Sequence, residues 1–217
     1  MPSQLLTKLR ADIEVAKGIV SRVPETECKT NLQGLSLQSF ILLVHAAFES
    51  YLEQTALNAI IRATDKFKNN GEITKTLVAL LVSNSFDELS EKSKSRIRED
   101  VTRSFEVAIE SAKKRFSHTI RNNNGIKADD QRSILLPAGI DPEFVEPTVF
   151  HALNTFGGSR GAIAHGFQFI RHEHTKSSVL GEISTILHGL REYERAIEQA
   201  LNDSAGSSEV PALRPNL

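Results

Sequence analysis

Residues 177–201 read SSVLGEISTILHGLREYERAIEQAL. Within them Val179, Ile183, Ile186, Leu190, Tyr193, Ile197 and Leu201 return every three or four positions, the step that collects side chains on one face of an α-helix. The same step recurs upstream. Leu5, Leu9, Ile13, Ala16, Val20 and Val23 make a stripe that Pro24 ends. From Ser36 to Phe67, Phe40, Leu43, Ala47, Tyr51 and Leu52 keep the period, and Asn69-Asn70-Gly71 supplies a stop. The run Leu77 to Val82 would by itself suit a buried strand, but no partner strand is evident, so the segment Ile73 to Val82 reads as a third helix.

A fourth helix is expected from Ser93 to Phe116, with Ile97, Val101, Phe105, Ala108, Ala112 and Phe116 inward and Asn122-Asn123-Asn124-Gly125 breaking it. Ile126 to Ile140 has no clear period and reads as a long loop. Asp141-Pro142-Glu143 has the order of N-cap, first-turn proline and first-turn acid. The helix it opens is expected to carry Phe144, Val145, Val149, Phe150 and Leu153 and to end at Gly157-Gly158. Past Asn202 the Ser, Gly and Pro content rises, so Asp203 to Leu217 reads as a disordered tail. The fold class is all-α: one helical domain over residues 1–202 and a tail over 203–217.

The 217 residues suffice for a hydrophobic core without disulfide or metal staples. Lysine and arginine total 26 against 27 acids, so any polyanion site must be a local patch. Cys28 has no partner for an internal disulfide, and Met1-Pro2-Ser3 leads into an amphipathic pattern rather than a signal core. Both features suggest a reducing, cytoplasmic setting. The apolar stretches near Phe40 to Phe48 and Leu77 to Val82 fall short of the ~18 residues of a membrane span, so no membrane association is expected.

Phosphate-loop, nucleophile-elbow, Cys-x-x-Cys and His-Glu-x-x-His patterns are absent. The unusual segment is Gly157-Gly-Ser-Arg160-Gly-Ala-Ile-Ala-His165-Gly166. Arginine offers a fixed cationic fork for phosphate oxygens, and histidine exchanges protons near neutrality, a pairing suited to phosphodiester chemistry. Five helical steps turn through about 140°, so Arg160 and His165 do not share one helix face. The helix is irregular there, or another surface completes the site. A histidine at this position also suits a plain helix-end cap.

Arg160-Gly-Ala-Ile-Ala-His165 resembles the Arg-x(4 to 6)-His signature of HEPN domains, a superfamily of small helical bundles. Leu42-Leu-Val-His-Ala-Ala-Phe-Glu49-Ser-Tyr-Leu-Glu53 is similar to the helix with an aromatic-Glu-x-aromatic-Leu pattern in stand-alone prokaryotic members. The resemblance implies a metal-independent endoribonuclease without cofactor, a homodimer with two Arg/His motifs facing each other, and a role as a toxin or antiviral-defence effector with an antitoxin or other partner protein. It also implies that Arg160 stabilises phosphoryl charge while His165 moves protons. Gly161 departs from the Asn, Asp or His often found after the arginine in active members, which keeps open an inactive HEPN-like module that binds nucleic acid or a protein. An oligomerisation scaffold is the third reading.

Glu49 is a candidate to steer the histidine or bind the arginine, or else an ordinary surface ion-pair partner. Lys113, Lys114, Arg115, His118 and Arg121 form a basic run that suits RNA phosphates, and equally suits the negative end of a helix dipole. Arg171-His172-Glu173-His174 lacks a second ligand group at usable spacing, so no metal site is assigned.

Overall fold

The computed structural model describes residues 3–84, 101–165 and 174–204, with the backbone alone at 101, 102, 164 and 165. Eight α-helices appear among these residues, joined by turns. They are α1 (Gln4–Lys17), α2 (Asn31–Asn70), α3 (Lys75–Asn84), α4 (Val101–Asn122), α5 (Ala128–Leu135), α6 (Pro142–Val145), α7 (Pro147–His165) and α8 (Lys176–Asn202).

The axis of the bundle is α2, 40 residues long. Thr30 and Gln33 close a reciprocal capping box at its start, an arrangement that stabilises a helix by about 1 kcal/mol. Gly71 ends it in the left-handed region, φ 68°, where a side chain would be strained. The helix thus begins five residues before the expected Ser36, because the apolar period alone does not show a cap. Phe40, Ile41, Val44, Phe48, Tyr51 and Leu52 are buried, whereas Leu43, expected inward, is 50% exposed. An 18-residue window of α2 reaches a mean hydropathy of 1.3, enough by length and composition to cross a membrane, and 44% of that window is buried inside the protein.

All other helices but α6 lie against this axis. The face of α8 is as expected, with Val179, Ile183, Ile186, Leu190, Tyr193, Ile197 and Leu201 all buried. In α1 the helix stops at Lys17 and a 3-10 turn, Gly18–Val20, carries the chain on; Leu6 rather than Leu5 is fully buried. In α4, Ile109, Ala112 and Phe116 are buried and Ala108 is exposed. The expected start of this helix, from Ser93 to residue 100, lies outside the described residues.

Three expectations are corrected. The stretch 126–140 is not a loop: it holds α5, and Ile126, Ile134, Leu135, Ala138 and Ile140 are buried. Two helical turns are too short to reveal a period of 3.6, and the buried polar Gln131 breaks the apolar pattern. Its amide donates to the carbonyls of Ile126 and Phe150, at 2.9 and 3.0 Å, joining this segment to α7.

Next, the helix after Asp141 is two helices. Glu146 leaves helical geometry, φ −152° and ψ 84°, because Pro147 excludes the residue before it from the α region. The expected cap is present, since Asp141 accepts from the Glu143 amide. Phe144, expected inward, is 85% exposed. Finally, Gly157-Gly158 does not end α7, which runs on to His165. These glycines are set by packing. A Cβ on Gly157 would lie 3.1 Å from Lys127 Cγ and 3.3 Å from Ile126 Cγ1, so the missing side chain admits the start of α5.

At the C-terminal end, Asp203 accepts from the Lys75 amide at 3.0 Å and Ser204 bridges Thr74. Residues 203 and 204 are thus tied to the start of α3, and residues 205–217, most of the expected tail, lie outside the described residues.

Candidate active site

His45, Glu49 and Glu53 stand four residues apart on α2, so they share one of its faces. Phe48 meets Phe156 of α7 edge to face, ring centroids 5.7 Å apart, and this contact brings α7 onto that part of α2. The turn between α4 and α5 closes the third side. Its Asn123 donates through Nδ2 to Glu53 Oε1 (2.8 Å), Glu49 Oε1 (3.3 Å) and the Gly125 carbonyl (3.1 Å). Lys127 N donates to Asp130 Oδ2 at 2.9 Å, and Ala128 N donates to Asn154 Oδ1 of α7 at 3.0 Å. A Cβ on Gly125 would lie 2.3 Å from Asp130 Oδ2, so a side chain there would displace the carboxylate that accepts from the Lys127 amide.

These elements enclose a cleft of about 320 Å³. His45 lines it from α2, Asn124, Lys127 and Asp130 from the α4–α5 turn and the start of α5, and Arg160 from α7. Gly157, Gly158 and Gly161 give α7 a wall without side chains. The space a side chain at 161 would take is approached by a cation, since Lys127 Nζ is 3.7 Å from the position of that Cβ. The cleft therefore holds two cations from different segments, Arg160 on α7 and Lys127 at the N-cap of α5. A carboxylate, Asp130, stands with them, one of its oxygens already accepting from the Lys127 amide.

The charges act on the α2 face. Burial, and then the Arg160 cation, push the His45 imidazole down to about 4, with Asp130 opposing, so the ring is neutral near pH 7. Burial and the neighbouring Glu53 raise Glu49, while Arg160 offsets part of that rise. Burial thus disfavours charge on both the His45 imidazole and the Glu49 carboxylate beside it, and perturbed groups of this kind cluster where proton transfer is performed.

Arg160 and Glu49 are brought to one region, as their electrostatic coupling shows. His165 is the last residue of the helix that carries Arg160, and its side chain is outside the description. The basic run stays on α4, upstream of Asn123. Lys113 pairs with Glu110 at 3.5 Å, and Arg115 donates to the Asn84 carbonyl at 2.8 Å, capping α3; Lys114 and Arg121 are exposed. His118 contacts Asn122 on the same helix. Among the described residues no group of three or more His, Cys, Asp or Glu is arranged to hold a metal, and residues 171–173 of the Arg-His-Glu-His cluster lie outside them.

His45, Lys127 and Asp130 are additions to the sequence reading, whereas Asn123, one of three asparagines expected as donors to phosphates or bases, here donates to Glu49 and Glu53. The i,i+4 spacing of His45 and Glu49 was a usable signal; nothing local marks Lys127, which reaches the cleft only because α5 folds onto α7. A larger groove, about 830 Å³, lies between the start of α1, α2 and α8. It is lined by Arg62, 17 residues beyond His45 and so about 25 Å along α2. Its charges are largely satisfied by each other, as in Arg62 with Glu198.

The RiboL-PSP-HEPN family model matches residues 12–203. The chain belongs to this HEPN family. The match spans every described helix except the start of α1, so the helical architecture and the Arg160 to His165 segment fall within the HEPN domain. Comparison with curated proteins and with solved structures returns no match. Membership in a HEPN family suggests an RNA-related role; the chemistry is argued from the cleft.

Proposed function

We propose that this HEPN protein is a metal-independent endoribonuclease that cuts single-stranded RNA by attack of a ribose 2′-hydroxyl on the adjoining phosphate. The observation that carries the reading is the pair of cations, Arg160 and Lys127, aimed at one cleft beside a titratable face. A phosphodiester brings one negative charge to that place, and its charge grows on the non-bridging oxygens as the fifth bond to phosphorus forms. Arg160 presents a planar fork to those oxygens and Lys127 a point charge. His165 moves the protons of the reaction, and Glu49 orders the imidazole and guanidinium around it.

Two copies of the chain complete the site, with the exposed Gly158 side of α7 facing the partner. Gly157 is already covered by the start of α5 within one protomer, and of the described residues from 157 to 163 Gly158 and Ala162 are the exposed ones that a second copy could meet. Lys114 and Arg121 extend the RNA path along α4. Action as a toxin or antiviral-defence effector, held in check by an antitoxin or another partner protein, is the biological setting this chemistry suits.

The test is cleavage of a labelled single-stranded RNA in excess chelator, with the matching DNA as control. RNA cleavage that leaves a cyclic phosphate is expected, with DNA intact for want of the 2′-hydroxyl. His165→Ala abolishes turnover, and Arg160→Lys impairs it, because an ammonium keeps the charge and loses the fork. Loss of activity in chelator, or cutting of DNA, refutes the mechanism. RNA binding without cleavage identifies the chain as a binding module instead, in keeping with Gly161.

A further inference from the structure

The ribonuclease reading requires a group to take the 2′-hydroxyl proton and another to protonate the departing 5′-oxygen, and the signature histidine is one imidazole. A second imidazole, that of His45, stands in the wall of the cleft that Arg160 and Lys127 line. His45 is 2% exposed and borders the cleft. What faces it is a carboxylate, Glu49 Oε2, 3.8 Å from Nδ1, which is looser than a hydrogen bond. Catalytic contacts in unliganded sites are often long and tighten when substrate arrives.

We propose that His45 is the general base of the reaction, with Glu49 as its positioning residue and His165 as the general acid. The assignment rests on the ribonuclease reading above. A carboxylate opposite Nδ1 selects the tautomer protonated there and leaves Nε2 with a lone pair, the arrangement that a base oriented by an acidic residue uses elsewhere. Asn123 fixes Glu49 from the other side, donating to its Oε1 at 3.3 Å.

The step balances within one turnover. His45 takes the 2′-hydroxyl proton as the 2′-oxygen bonds to phosphorus. The bond from phosphorus to the 5′-oxygen breaks, and that oxygen receives a proton from His165. The products are a 2′,3′-cyclic phosphate and a 5′-hydroxyl, and exchange with water resets both rings.

The charged groups around His45 are Glu49 and Glu53 on its own helix, Arg160 from α7, and Lys127 and Asp130 from the start of α5. Unliganded, burial and Arg160 keep the ring neutral and able to accept a proton. A phosphodiester anion held by Arg160 screens that cation and strengthens the base as substrate binds.

The experiment compares two substrates. One is ordinary RNA. The other is a ribonucleotide 3′-(4-nitrophenyl) phosphate, whose leaving group departs without a proton. His45→Gln is expected to lower kcat on both by roughly 10²-fold to 10⁴-fold, the usual contribution of a general base, with RNA affinity retained. His165→Ala is expected to lose activity on RNA and to recover most of it on the nitrophenyl ester. Circular dichroism confirms folding, and His45→Asn, which keeps a polar group near Glu49, serves where His45→Gln does not fold. If His45→Gln turns over the ester at the wild-type rate, the assignment is overturned while the ribonuclease reading stands. If the wild-type protein cleaves neither substrate, the ribonuclease reading falls and takes the assignment with it.

Discussion

Gly158→Ala should stabilise this protein, a result that depends on α7 continuing where a glycine pair would ordinarily end a helix. Gly158 has helical backbone geometry, no heavy atom stands within 4 Å of where its Cβ would sit, and the residue is exposed. An alanine there restricts the unfolded chain and meets no atom of its own protomer, which gains about 0.5–1 kcal/mol as long as the partner copy leaves room for one methyl group. In a domain of this size each kcal/mol moves the melting temperature by roughly 2–4 °C, so a rise of about 1–4 °C is expected.

Its neighbour is the control. At Gly157 an added Cβ would lie 3.1 Å from Lys127 Cγ, 3.3 Å from Ile126 Cγ1 and 3.4 Å from Lys127 N. The lysine stem can give way, but the backbone amide is held by Asp130. Gly157→Ala should therefore gain clearly less than Gly158→Ala, or lose stability. Differential scanning calorimetry, with light scattering to follow oligomeric state, measures both. A lower melting temperature for Gly158→Ala with the oligomeric state unchanged would mean that the residue caps the helix in a left-handed conformation, a lower one with a smaller assembly mass would mean that the methyl group meets the partner copy, and an equal gain at both glycines would mean that α5 does not rest on α7.

Gln131→Leu removes the donor to two buried carbonyls, those of Ile126 and Phe150, and should cost on the order of 2–4 kcal/mol by denaturant unfolding; a change under 1 kcal/mol would refute the tie between α5 and α7. His45 has a lower pKa folded than unfolded, so the unfolded chain binds its proton more readily and stability falls as pH drops from 6.5 toward about 4. The raised pKa of Glu49 works in the opposite direction, and so His45→Gln in urea melts at pH 7 and pH 5 isolates the histidine: the variant should be less acid-sensitive than wild type. Deleting residues 205–217 should leave the melting temperature unchanged, whereas a chain ending at Asn202 also loses the Asp203 bond to Lys75 and should melt lower. Deletion of 205–217 that lowers the melting temperature as far would place a docked segment beyond Ser204.

The long helices were legible because each shows at least three turns of one apolar stripe, as α8 does from Val179 to Leu201. What escaped was set by contacts between segments. Gly157 carries the same letter whether it ends a helix or admits a neighbour, and only Ile126 and Lys127 against it decide. The inward turn of α5 depends on Gln131 finding two carbonyls far away in sequence. Arg160 was legible through its spacing to His165 and Glu49 through its aromatic neighbours. Lys127 was not, because a lysine in an aperiodic stretch has no partner in sequence to mark it. His45 lay within the quoted α2 pattern, but its significance depends on an arginine 115 positions later.

At 1.5 Å per residue the 40 residues of α2 extend for about 60 Å. A sphere with the radius of gyration usual for 217 residues is only about 44 Å across. One helix alone thus exceeds the width of a round protein of the chain's 24.0 kDa mass, and a protomer elongated along it diffuses more slowly than such a sphere. On a gel-filtration column calibrated with compact standards a single copy elutes early, in the direction of an apparent dimer. The number of chains in the assembly has to be read from a mass measured without reference to shape, and elution volume then reports the length of that one helix.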